Sequence, residues 1–322
     1  MTGVGKPLQP HKAVPPPPAT GLSIGLALGG GGARGLAHIL MLEVFDELGL
    51  KPKVIAGTSI GALFGAAYAS GLSARLIRAH TEEVLSQRFG FARSLLAARS
   101  EPVLRLLNIL PVRSSLLSPE LLLDQVLPSR LAPDFARLAI PFKVVATDFY
   151  AQEQVVIDAG DLRPAVAASI ALPALFTPVK REHRLLMDGG LVNPLPFDVV
   201  EGEADLTVAI DVTGASSASG RRAHPTILAA LVSASQILQR SIVREKLKAN
   251  RPDVYIDVDV DQFHVLEFHR FKEVLAAAQP AKEQLRRQLD RVLASLPAET
   301  QPATPARKRL GGLRRLTRRR PA

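Results

Sequence analysis

The run Val54-Ile-Ala-Gly-Thr-Ser-Ile-Gly-Ala-Leu63 contains Gly57-Thr58-Ser59-Ile60-Gly61. Its first residues are β-branched and apolar. Its last residues continue to 69 as a helix with small residues at Gly61, Gly65 and Ala69. A serine between a strand and a helix, with glycine two positions to either side, has the local form of a nucleophile elbow. Such a turn is sharp, its serine takes a strained backbone, and its neighbours must be tiny. The N–H of Ile60 then opens beside the hydroxyl. The pattern is short, so its meaning depends on the rest of the chain.

Outward from the turn, residues 22–28 form an apolar run of strand length, followed by Gly29 to Gly32 and by residues 34–48 with apolar positions at helical spacing. Residues 53–56 give a second strand. The order strand, glycine loop, helix, strand, tight turn, helix predicts an α/β fold with a mostly parallel sheet and helices on its faces. Further strands are expected at 141–147, 154–158, 185–187, 206–212 and 254–258. Helices are expected at 162–170, 226–248 and 270–296, the last kinked at Pro280, and residues 72–139 read as mostly helical. Residues 54–74 carry no charge and are long enough to span a bilayer. The glycines within them favour a buried strand running into a buried helix.

The chain has 322 residues, 47% of them hydrophobic, and no cysteine. That excludes a disulfide framework, a thiolate metal site and a cysteine nucleophile, and gives no reason to place the protein outside a reducing compartment. The formal charge of +10 is uneven. Residues 297–322 hold eight Arg and Lys against Glu299, and residues 1–20 add Lys6 and Lys12, so the body, 21–296, is nearly neutral. The chain therefore divides into a disordered proline-rich tail (1–20), one folded domain (21–296) and a disordered polybasic tail (297–322). The N-terminus lacks the apolar core of a secretory signal, which makes a cytoplasmic location the expectation.

Gly30-Gly31-Gly32-Ala33-Arg34-Gly35 fits G-x-G-x-x-G between a strand and a helix. A dinucleotide site also needs an acid at the end of the second strand, and the stretch Lys51-Pro-Lys-Val-Ile-Ala-Gly-Thr-Ser59 has none. No Gly-Lys-Ser/Thr follows, so the loop is not a phosphate-binding Walker loop. No cofactor is expected. Bare N–H groups at a helix start suit an anion, including an oxyanion forming on a carbonyl. The same loop also reads as a tight turn with Arg34 on the surface or fixing the loop.

A serine needs a base. Of seven histidines, His38 reads as a packing residue, and His224 or His264 stands where a serine–acid–histidine order would put one, without a supporting motif. His264 and His269 lie five apart, and no metal motif is present. Asp188, in Met187-Asp188-Gly189-Gly190, ends an apolar strand. Held in a partly desolvated site its carboxylate becomes a usable base; alone, it equally fits the cap of an Asp-Gly turn.

Taken together, Gly30 to Gly35, Gly57 to Gly61 and Asp188-Gly189-Gly190 resemble the patatin-like phospholipases. So do Val145-Ala-Thr-Asp148, the stretch Ala168-Ser-Ile-Ala-Leu-Pro-Ala-Leu-Phe-Thr-Pro-Val179, and Asp188-Gly-Gly-Leu-Val-Asn-Pro-Leu-Pro196. The resemblance covers about residues 22–295 and is to the short bacterial type. It implies a three-layer α/β/α fold and a lipid acyl hydrolase with Ser59 as nucleophile and Asp188 as base. It implies an oxyanion hole from Gly30, Gly31, Gly32 and Ile60, with Arg34, Gly35, Gly57, Gly61, Gly189 and Gly190 shaping the motifs. No metal is implied for the chemistry, and Asp148 and Asn193 take structural roles. The competing readings are a histidine-triad α/β-hydrolase and a non-catalytic lipid- or nucleic-acid-binding protein. The expected partners are a lipid ester and an anionic membrane met by the polybasic tail, which could also meet nucleic acid; oligomeric state is left open.

Overall fold

The computed structural model describes residues 21–87, 117–128, 130–214 and 227–295. Both expected tails, and residues 88–116 and 129 of the 72–139 region, lie outside them. Within them, strands β1 (Ile24–Leu28), β2 (Val54–Thr58), β3 (Phe142–Asp148), β4 (Glu153–Ile157), β5 (Val179–Arg181), β6 (Arg184–Asp188), β7 (Leu206–Asp211) and β8 (Val254–Asp257) form one sheet. The order is β5-β6-β3-β2-β1-β7-β8, with β4 paired to β3. β3, β2, β1, β7 and β8 run parallel, while β4, β5 and β6 join antiparallel.

The helices are α1 (His38–Leu48), α2 (Ile60–Ala69), α3 (Ala74–Gln87), α4 (Pro119–Val126), α5 (Leu162–Ser169), α6 (Ile227–Ala249), α7 (Phe271–Ala277) and α8 (Gln279–Ala294). The parallel strands are buried on both faces, as their near-continuous apolar runs require. Leu26, Leu28 and Ile55 join the larger core with α1, α2, α5, α7 and α8. Ala27, Val54, Ala56 and Ala209 face the other way, under Val243 of α6 and Leu195, Phe197 and Val200. The result is the expected three layers. The uncharged stretch 54–74 is β2 and α2 inside this core, and among the described residues no helix is long and apolar enough to cross a membrane.

Two helix expectations change. The glycine loop enters a 3-10 turn, Gly32–Ala37, and the α-helix starts only at His38. The C-terminal helix is two helices rather than one kinked one. Pro280 lies in the first turn of α8, where its missing N–H costs nothing, and α7 ends before it.

β3 sets the position of everything else. Its residues 144–148 pair with β4. Because a strand has two edges, β2 and β6 must share the other one. Thr58 lies opposite Val145, and Asp188 lies opposite the next residue, Ala146. β2 ascends this edge and β6 descends it, so their C-terminal ends meet.

The close approaches this demands set a clear stability contrast. A Cβ at Gly61 would sit 2.1 Å from the Leu28 carbonyl oxygen, whereas Gly49 ends α1 at φ 67° with open space around it. Gly61→Ala should cost several-fold more stability than Gly49→Ala, for which strain of about 1 kcal/mol is expected. Urea unfolding of the two variants checks this.

Candidate active site

Ser59 follows β2 directly and caps α2 at φ 54°, ψ −120°, a backbone that L-residues rarely adopt. Gly57 and Gly61 are packed against each other's segment and against β1, and Gly35 leaves the room that the Ile60 side chain fills. Ser59 Oγ donates to Asp188 Oδ2 at 2.6 Å, joining residues 129 apart in sequence. Asp188 is 2% exposed. Its Oδ1 accepts the Gly190 N–H at 2.7 Å, its own N–H donates to Ala171 O, and its carbonyl accepts from Thr147 Oγ1. Gly189 lies against the Val145 carbonyl, where a side chain would not fit.

Among the described residues no cation pairs with Asp188. Burial pushes its carboxyl up to about 6, against the lowering effect of the Ser59 and Gly190 hydrogen bonds. Asp188 thus caps the turn with one oxygen, as one of its sequence readings had it, and accepts the serine hydroxyl with the other.

The glycine loop lies against the serine: a Cβ at Gly30 would be 3.4 Å from Ser59 Cβ. Its amides divide. Gly29 N–H donates to Ile210 O, Gly30 N–H to Pro194 O at 2.8 Å, and Ala33 N–H to Val265 O. Gly31 and Gly32, the latter at φ 57°, have amides with no acceptor among the described residues, as does Ile60 at the start of α2. Gly30 therefore shapes the loop with an amide already committed. Arg34 is not on the surface. It is 7% exposed, donating from Nε to Phe263 O and from Nη1 to Thr213 O, and it locks the loop to the segments after β7 and β8. Burial lowers its pKa.

His38 is buried, with Nε2 2.8 Å from Gly29 O, and burial takes its imidazole down to about 4. It is a neutral packing residue under the loop. His80 bonds Val126 O, His264 Nδ1 accepts the Leu266 N–H, and His224 lies outside the described residues. Among the described residues no histidine hydrogen-bonds Ser59 or Asp188. Among the described residues no group of three or more acids and histidines converges as metal ligands.

Ser169, and the Gln154, Asp198 and Lys246 partners of Asn193, were not singled out in the sequence. Ser169, fully buried at the end of α5, accepts the Ser59 N–H at 2.8 Å and donates to Val145 O at 2.6 Å. Asn193 holds the chain after the Asp-Gly-Gly turn. Its carbonyl accepts from Thr58 Oγ1, its Nδ2 donates to Gln154 and Asp198, and its Oδ1 accepts from Lys246 Nζ at 2.6 Å. The structural role expected for Asn193 is this brace, and that of Asp148 is to cap the β3–β4 turn through the Tyr150 and Ala151 N–H groups. A cleft of about 360 Å³ between α6 and β8, lined by Asp211, Arg240, Arg244, Tyr255 and Asp257, contains none of these groups.

The chain belongs to the patatin-like phospholipase family, whose profile matches residues 26–200. An NTE family protein of Mycobacterium tuberculosis is 36% identical over 207 residues, 64% of this chain and 53% of the relative. Patatin-like phospholipase domain-containing protein 6 of Homo sapiens is 32% identical over 281 residues, 79% of this chain and 20% of its own length. The chain thus spans about half the length of the mycobacterial relative and a fifth of the human one. Among solved structures, VipD from Legionella pneumophila covers 83% of this chain and 66% of its own, at 16% identity and a TM-score of 0.43.

Two stability measurements test this geometry. Ser169→Ala leaves the buried Ser59 N–H without its acceptor and should cost about 1–3 kcal/mol. Asp188 carries the opposite sign. Its raised pKa means the folded state holds a proton that the unfolded state releases between about pH 4 and 6, so its contribution falls as pH rises through 6. Relative to wild type, Asp188→Asn should therefore be more stable at pH 8 than at pH 4.5, by a margin on the order of 2–3 kcal/mol. Urea unfolding of both proteins at the two pH values reads it.

Proposed function

We propose that the protein is a lipid acyl hydrolase that cleaves carboxylic esters through an acyl-serine on Ser59, with Asp188 as general base. The observation that carries this reading is the 2.6 Å hydrogen bond from a strained-turn hydroxyl to a buried carboxylate that no cation among the described residues pairs. Membership of a phospholipase family supports the lipid-ester class.

Ser59 Oγ attacks the ester carbonyl carbon while Asp188 Oδ2 takes its proton. Charge develops on the former carbonyl oxygen, where the amides of Gly31 and Gly32 and that of Ile60 supply donors at the start of a helix. Collapse breaks the bond to the alcohol, which leaves with the proton from Asp188. Water then attacks the acyl-serine, Asp188 takes the proton of that water and returns it to Ser59, and the fatty acid departs. A carboxyl near 6 is mostly ionised at pH 7.5 yet more basic than an exposed aspartate, which suits this exchange.

On a p-nitrophenyl acyl ester, Ser59→Ala and Asp188→Asn are each expected to lose about a thousandfold or more in kcat/KM while keeping native circular dichroism. A fluorophosphonate should label wild type and spare Ser59→Ala. The wild-type kcat/KM should rise with pH through about 6 and then level, because Asp188 must be ionised to accept the proton. An active Asp188→Asn variant would remove the dyad. A wild type inert on esters and phospholipid vesicles, with an unlabelled Ser59, would leave a non-catalytic binding protein.

A further inference from the structure

Two apolar features rise past the level of Ser59 on the same edge of the sheet. β3 continues beyond Val145, the partner of Thr58, to Asp148 and then turns through Phe149 and Tyr150. At about 3.3 Å per residue the turn stands on the order of 10 Å beyond the serine. The second feature is α6. Its Val243 packs on Ala27, Ala56 and Ala209 in mid-sheet, and its Gln239 lies against Gly190 beside the dyad. The helix therefore ascends toward its own N-terminus, and Leu231, eight residues before Gln239, lies about 12 Å further out at 1.5 Å per residue.

Both tips expose large apolar groups. Tyr150 is 78% exposed, and Phe149 and Leu231 are about half exposed; Ile237 and Leu238, also exposed, stand only about 3 Å or less above Gln239 along the helix. The Phe149 and Tyr150 rings pack edge to face at 5.0 Å, on a turn tied down by the Asp148 carboxylate, so they are held outward rather than left loose. Cations flank the aromatic tip. Lys180 and Arg184 lie on the β5–β6 hairpin beside the aromatic turn, against Glu182, and Arg184 stands 3.8 Å from Asp148. Arg240 and Arg244 of α6 lie on the other side of Gln239, toward mid-sheet in the cleft against β8, and take no part in this edge. An apolar tip with a basic collar matches the layering of an anionic bilayer, acyl chains inside and phosphates outside.

We propose that this edge docks the protein on an anionic phospholipid bilayer. Phe149, Tyr150 and Leu231 enter the acyl boundary, and the site mouth faces the lipid. The proposal takes the lipid as substrate from the ester-hydrolase reading, while the docking itself stands apart from catalysis.

The chain has no tryptophan, so a single introduced one reports its own surroundings. Tyr150→Trp, Leu231→Trp and, on the opposite edge, the exposed Lys51→Trp would be mixed with phosphatidylglycerol–phosphatidylcholine vesicles. The salt would be 1 M, where a screening length of about 3 Å suppresses binding by charged tails. The first two should shift to the blue and be quenched by brominated acyl chains; the third should do neither. Replacing Phe149, Tyr150 and Leu231 together by serine should lower vesicle affinity at least tenfold and leave turnover of a short soluble ester unchanged. Vesicle binding without a shift at either tip, or no vesicle binding, overturns the proposal. So does a dimer by sedimentation that the serine replacements dissociate, since the face would then belong to a second copy. If the two tip tryptophans enter the bilayer while wild type hydrolyses no ester, the docking stands and the catalytic reading fails.

Discussion

Two strands share one edge of β3, and the rest of the site depends on that. β2 occupies the first half of the edge and β6, running the other way, the second, with Thr58 and Asp188 opposite adjacent residues. A strand edge offers one partner per position, so the two chains must end where they meet. Each then leaves the sheet through a glycine turn. The hydroxyl–carboxylate contact is the consequence of this register. A one-residue slip of either strand would turn its side chains to the opposite face and separate the pair. Ser169 ties the arrangement together, because one buried hydroxyl holds both the Ser59 amide and the Val145 carbonyl at the junction.

The meeting is energetically unfavourable in two ways that packing elsewhere must offset. Ser59 holds a backbone that costs on the order of 1–3 kcal/mol, and Asp188 is buried without a paired cation among the described residues. A lysine or arginine beside Asp188 would remove the second cost and lower the basicity of the carboxylate with it. The nearest strong cation in this network, Lys246, is instead spent on Asn193, Leu195 O and Asp198, one step removed from the dyad. The brace thereby rigidifies the turn without neutralising the base. His38 follows the same logic under the glycine loop: buried and neutral, it bonds Gly29 O and adds no positive charge beside the amides.

Much of this was legible in the sequence because it rests on local constraints. Glycines at 57, 61 and 189 mark places where backbone touches backbone, and apolar runs of five to seven residues mark strands buried on both faces. The alternation around residues 22–69 fixed the class of fold. What was not legible depends on long-range partners. Arg34 looked like a possible surface residue because nothing near it in sequence accepts its hydrogen bonds; Phe263 and Thr213 lie far along the chain. The commitment of the Gly30 amide to Pro194 O was hidden for the same reason. Ser169 stood inside a stretch already notable for its resemblance, but a serine at a helix end has no local mark of what it holds. The break at 278 was a matter of degree: proline in a helical run predicts a disturbance, and its first-turn position decides between a kink and a fresh start.

The strand order also accounts for why the loop, the elbow and the exposed apolar tips crowd one edge. From β1 the chain steps outward through β2 to β3, whereas β7 and β8 lie on the other side of β1. The crossovers therefore diverge at the β1–β7 boundary, and a crevice opens beyond the carboxyl ends of the strands there. The glycine loop fills that crevice, bonded to Ile210 at the end of β7 and to Val265 after β8. β3 overshoots β2 on one side, and α6, the connection from β7 to β8, overshoots the sheet on the other. A site placed between two overshooting elements lies in a recess, and whatever reaches its serine from a flat surface must be met by the projecting tips. That exposed apolar residues occur on both tips is what a surface of hydrocarbon would require and what water would disfavour.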